Sequence, residues 1–112
     1  MSPTAITLLL VTFLSGNSPN WSWQRSPSSE SVTSYTIYWR SPATEWCSGY
    51  SATFIEPNNC GLSACGDVNK CCGETTNPER ELGATLLFFV ATARNAFGDS
   101  PTEHGVVLET CP

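Results

Sequence analysis

From Val32 to Arg40 the chain reads Val-Thr-Ser-Tyr-Thr-Ile-Tyr-Trp-Arg, and from Tyr35 onward nearly every residue is β-branched or aromatic. Side chains of this kind crowd a helix but pack well on a pleated surface, so the segment predicts a strand. Alternation with period two places Tyr35, Ile37 and Trp39 on one face and Thr36, Tyr38 and Arg40 on the other. A strand with so large an apolar face has to be covered by a second layer. The rest of the sequence therefore has to supply that layer.

The other segments read the same way. Trp21-Ser22-Trp23 alternates between two polar, proline-containing stretches, and Thr85 to Ala93 is a continuous apolar run. Its aromatic and β-branched content, with the turn Asn95-Ala96-Phe97-Gly98-Asp99-Ser100-Pro101 behind it, favours a strand covered on both faces. Gly105 to Glu109 supplies a last short strand. The best helix candidate, Pro78 to Leu82, is stopped by Gly83 after about one turn. Ile6 to Leu14 is apolar for nine residues, far short of the ~18 needed to cross a membrane, so this segment predicts no membrane insertion. It reads as a first strand opened by Pro3. A cleaved signal is the alternative, although Met1 to Ala5 carries no basic residue.

Strands of this length, punctuated by Pro and Gly, predict an all-β, antiparallel two-sheet sandwich. At 112 residues the chain has the size of one domain. The expected division is a single domain over residues 1–112 with a Cys-rich insertion at about 41–76. The expected core includes Trp23, Tyr35, Ile37, Trp39, Leu87 and Phe89.

Six cysteines, five of them between Cys47 and Cys72, point to an oxidising compartment, where bridges supplement a small core. Cys47, Cys60, Cys65, Cys71, Cys72 and Cys111 are all expected in disulfides, with the pairing open among fifteen possibilities. Adjacent residues fit bridge geometry poorly, so Cys71 and Cys72 are expected to join different partners. Structural zinc sites repeat cysteine pairs that are separated by two to four residues, a repeat absent from Cys60, Cys65, Cys71 and Cys72. No metal and no other cofactor is expected.

Charge narrows the function classes. With five Lys and Arg against ten Asp and Glu, the net charge is −5, which gives no footprint for nucleic acid. A basic partner is favoured through electrostatic steering. No constellation for catalysis stands out: His104 beside Glu103 reads as a solvated loop pair, and Glu79 and Glu81 flank Arg80 as an exposed charged turn. Asn20-Trp21-Ser22 is a possible glycosylation site, although Trp21 also reads as core. Trp46, Tyr50 and Phe54 are the candidate partner-binding residues, because aromatics dominate binding hot spots; packing beneath the cysteine-rich region is the competing role.

These motifs resemble the fibronectin type III family. Pro3-Thr4-Ala5-Ile6-Thr7-Leu8 is similar to its opening, Trp21-Ser22-Trp23 with Pro27 to its second strand, and Val32 to Trp39 to its third. Ala93-Arg94-Asn95-Ala96-Phe97-Gly98-Asp99-Ser100 is similar to the end of its sixth strand and is the most specific match. The resemblance covers about 70 of the 112 residues. It departs at Leu87, where the family carries a Tyr that ties down the preceding corner, and in the six cysteines. The bridges are expected to replace that tie. The resemblance implies an extracellular or cell-surface module for protein–protein recognition, adhesion or spacing, without catalysis and with another extracellular protein as partner. A carbohydrate-binding accessory module using Trp46 and Tyr50, or a stand-alone secreted effector or inhibitor, are the rival readings.

Overall fold

The computed structural model of the chain describes residues 1–13, 19–40, 45–75, 88–103, 106 and 108. Eight strands among these residues form two four-stranded antiparallel sheets. One sheet has the order β1 (Leu10–Phe13), β2 (Pro19–Gln24), β6 (Asp67–Glu74), β5 (Cys60–Gly61). The other runs β4 (Tyr50–Ile55), β3 (Ser34–Arg40), β7 (Phe88–Asn95), β8 (Gly98–Asp99). The one α-helical turn among the described residues, α1, spans Leu62–Cys65.

The alternation read from the sequence sets the layers. Tyr35, Ile37 and Trp39 are buried, whereas Thr36, Tyr38 and Arg40 are only half-buried. From the opposite sheet, Trp21 and Trp23 fill the space between the layers, each 1% exposed. Trp21 lies 5.4 Å from Trp39 and 5.5 Å from Phe89, and Trp23 lies 5.3 Å from Tyr35, measured between ring centroids. These are tilted and edge-on contacts, the arrangements that ring quadrupoles favour. Ala91 and Ala93 stand opposite Ile37 and Tyr35 in register, so small residues on β7 leave room for the large ones. Phe89 packs partly buried against this core.

The first strand differs from the expected Ile6–Leu14. Leu8 sits at φ 57°, a left-handed conformation that interrupts the extended run, and β1 begins only at Leu10. Ile6 is nevertheless buried, and the Thr7 carbonyl accepts a hydrogen bond from Gln24 N at 3.0 Å. The chain therefore follows β2 on both sides of a kink. The stretch read as an insertion also differs. Its described residues, 45–75, carry β4, β5 and β6, and β6 pairs with β2 along Asn20–Gln24. The sequence hides this because Asp67-Val68-Asn69-Lys70 has no apolar alternation: only one side of β6 meets the core, chiefly through Cys71 and Gly73.

The motif after β7 closes a hairpin through Asn95↔Gly98 and Arg94↔Asp99. Gly98 takes φ +123°, a conformation that L side chains rarely adopt. Buried Asn95 accepts from Phe97 N at 2.9 Å and donates to the carbonyls of Met1 and Glu30 at 2.8 and 2.9 Å. It thereby ties three segments into one corner. Ser100 Oγ accepts from Ala93 N at 2.9 Å. Leu87, Cys111, Glu79, Glu81, His104, the Pro78–Leu82 candidate and most of Gly105–Glu109 lie outside the described residues.

Candidate recognition surface

A rigid base stands at one end of the sandwich. Arg25 Nε donates to both carboxylate oxygens of Glu56 at 3.1 Å, and its Nη2 pairs with the same group. Its Nη1 donates to the Val68 carbonyl at 3.1 Å. The Tyr35 hydroxyl donates to Glu56 at 3.1 Å and accepts from Ser26 N at 3.1 Å. The Glu56 hydrogen bond raises the Arg25 pKa above its usual value, and burial raises that of the Tyr35 phenol. The network joins the end of β2, the start of β6 and the β4–β5 turn. A cleft of about 610 Å³ opens beside it, lined among others by Arg25, Pro27, Val32, Glu56, Val68 and Asn69.

An arm is built on this base. After β4, Asn59 accepts from Ile55 N at 3.2 Å and donates to the Cys72 carbonyl at 3.3 Å, which fixes the turn to β6. Cys60 and Cys71 face each other across β5 and β6 and are bridged. One residue further along β6, Cys72 is bridged to Cys65 at the end of α1. The adjacent cysteines thus go to different partners, because successive strand residues point to opposite sides. Gly66 caps α1 at φ +73° and donates its N–H to the Leu62 carbonyl at 2.9 Å. The arm carries two large apolar side chains outward, Leu62 at 65% and Val68 at 57% exposure. Neither stood out in the sequence, where each is a single apolar residue in a polar, cysteine-rich stretch.

The aromatic candidates separate in space. Phe54 is 8% exposed and packs 5.6 Å from Trp23, so it belongs to the core and leaves the partner-binding set. The Tyr50 ring stacks on Trp39 at 5.9 Å with an interplanar angle of 25°. Trp46 is half-buried, with the Arg40 guanidinium 4.9 Å from its ring; that same guanidinium lies 4.7 Å from the Phe88 ring. Arg40 thus stands between two aromatic faces, a cation–π arrangement the sequence did not suggest. Asn20 lies on β2 between Thr12 and Glu74, and its Nδ2 is covered by neighbouring atoms.

Two further clusters resolve into structural roles. Glu56, Cys60 and Cys71 bring ligand-type atoms within 4.8 Å of one another, but the two sulfurs are joined to each other and are not thiolates. Glu103 accepts from Ala91 N at 2.9 Å and so fastens the following segment to β7. Cys47 is exposed and also disulfide-bonded.

Sheet order, hairpin and core define the fold as fibronectin type III-like. No family model and no curated protein matches the chain. Among solved structures it is similar to the chicken CNTN1 FN1-FN3 domains, with a TM-score of 0.63 and 18% identity over 99% of this chain. The chain spans 33% of that fragment's length. It is also similar to a myokine structure, with a TM-score of 0.55 and 16% identity, covering 99% of this chain and 100% of the other.

Proposed function

We propose that this domain is an extracellular protein-recognition module that presents the β5–α1–β6 arm to another protein. The observation that carries the reading is the pair Leu62 and Val68, held exposed on α1 and on β6, elements that two disulfides fasten. Binding orders whatever was mobile, so a pre-ordered arm loses less entropy on association. Covering exposed Leu and Val side chains removes apolar surface from water, which favours association. The bridges support an oxidising compartment. A net charge of −5 supports a basic partner. A glycan platform on Trp46 and Tyr50 has less support, since Tyr50 is stacked on Trp39 and Arg40 lies over Trp46.

The test is binding of the oxidised domain to an array of extracellular proteins, with Leu62→Ser/Val68→Ser as the comparison. Both positions are exposed, so near-UV circular dichroism should be unchanged. Burial of two such side chains, at about 1–2 kcal/mol each, predicts a loss of at least ~10-fold in affinity. Full binding by the double variant removes the reading. Glycan binding abolished by Trp46→Ala would replace it.

A further inference from the structure

The two mapped bridges start one residue apart on β6 but face different surroundings. Cys71 is fully buried and Cys60 is 7% exposed, both within the core cluster. Cys65 and Cys72 are each partly exposed, on the outward side of the strand. Thiol–disulfide exchange requires a thiolate to reach a bridge sulfur, so access controls the rate. An external thiolate meets the outer bridge directly, whereas the inner one is reached only after β5 and β6 part.

We propose that Cys65–Cys72 is a thiol-exchange site, at which an external dithiol opens the bridge and releases the α1 turn while Cys60–Cys71 and the sandwich stay intact. In the first step a dithiol thiolate attacks one sulfur of the bridge. A mixed disulfide forms and the other cysteine leaves as a thiolate, which takes up a proton. The second dithiol sulfur then displaces the protein sulfur. One dithiol is oxidised to its disulfide, and Cys65 and Cys72 are reduced to two thiols.

The effect of opening follows from what else holds the turn. The hydrogen bond from Gly66 N to the Leu62 carbonyl is internal to it. Its flanks are held independently. Cys60–Cys71 lies on one side, and on the other the Arg25 backbone N–H donates to the Asn69 carbonyl at 2.9 Å and its Nη1 to the Val68 carbonyl at 3.1 Å. Reduction of the outer bridge therefore removes the covalent tie across residues 62–66 between fixed ends and leaves weak contacts of the two sulfurs with the Asn59 and Ala64 carbonyls, at 3.3 and 3.2 Å, so Leu62 loses its rigid mount.

The experiment exposes natively oxidised protein to graded dithiothreitol at neutral pH. Samples are quenched with acid, alkylated and mapped by peptide mass spectrometry, with tryptophan emission followed in parallel. Cys65 and Cys72 should be alkylated at least about ten-fold faster than Cys60 and Cys71, with the emission unchanged. Chymotrypsin should then cut after Leu62 in the partly reduced species. Alkylation of all four at one rate, earlier labelling of Cys60 and Cys71, or an emission change that tracks the labelling of Cys65 and Cys72 rather than that of Cys47 beside Trp46 overturns the proposal. So does protection of Leu62 once Cys65 and Cys72 are labelled. The measurement uses the wild-type chain and reads neither partner nor affinity, so its outcome is separate from that of the recognition reading.

Discussion

Gly73 tests how closely the two sheets meet. It faces inward on β6 opposite Trp21, and the Phe54 ring from the other sheet lies over it. A Cβ at this position would fall within 2.7 Å of three Phe54 ring carbons, closer than real Cβ contacts come. The ring has little room to retreat, because it is buried and packed on Trp23. Overpacking a core costs about 1–3 kcal/mol. Replacing Gly with Ala also restricts the unfolded chain, an opposing gain of about 0.4–1 kcal/mol where the backbone permits Ala. Gly73 has no left-handed φ, so the gain applies here. Gly73→Ala should therefore destabilise the domain by about 1–2 kcal/mol net. Urea unfolding of the oxidised protein, followed by tryptophan fluorescence, measures this. Phe54→Leu removes the ring atoms at issue, so Gly73→Ala in that background should cost less than about 0.5 kcal/mol or stabilise. A coupling of about 1–2 kcal/mol is then expected in the double-mutant cycle. Additivity within about 0.5 kcal/mol would refute the close approach of Phe54 to β6.

Two other perturbations address the base and the corner. Burial holds the Tyr35 phenol above its ordinary value of about 10, so the unfolded chain loses this proton at lower pH than the folded one. Stability should consequently fall as pH rises past about 10, and Tyr35→Phe should flatten that fall; an identical alkaline slope in the variant contradicts the assignment. Asn95→Ala removes three hydrogen bonds that join Met1, Glu30 and Phe97, with an expected cost of about 2–3 kcal/mol in urea unfolding. Asn95→Asp keeps the acceptor for Phe97 but sets a carboxylate against two carbonyls, so it should cost at least as much; a milder effect than Ala speaks against the donor role.

The parts of the fold legible in the sequence were those where a local pattern carries its own geometry. Tyr35, Ile37 and Trp39 showed their buried face by alternation, and Asn95 with Gly98 marked a turn after the seventh strand, although β8 at Gly98–Asp99 lies inside the stretch read as turn. Strand β6 was not legible, because it presents little apolar alternation and is held in place by β2 and two bridges. The candidate site was legible only in outline. The cysteine-rich stretch drew attention, but Phe54 went inward and Leu62 and Val68 went outward. Nothing in the local spacing distinguishes these cases.

The order of residues alone determined the all-β character, the division of β3 into a wet and a dry face, and the need for sulfur chemistry. Each follows from side-chain shape, period or thiol count within a short window. Tertiary structure decided which cysteines meet, which aromatic lies beneath which strand, and where apolar side chains remain exposed. Those outcomes depend on contacts between segments distant in sequence, such as Arg25 with Glu56 or Trp21 with Trp39. Their energies exist only once two sheets have closed on each other.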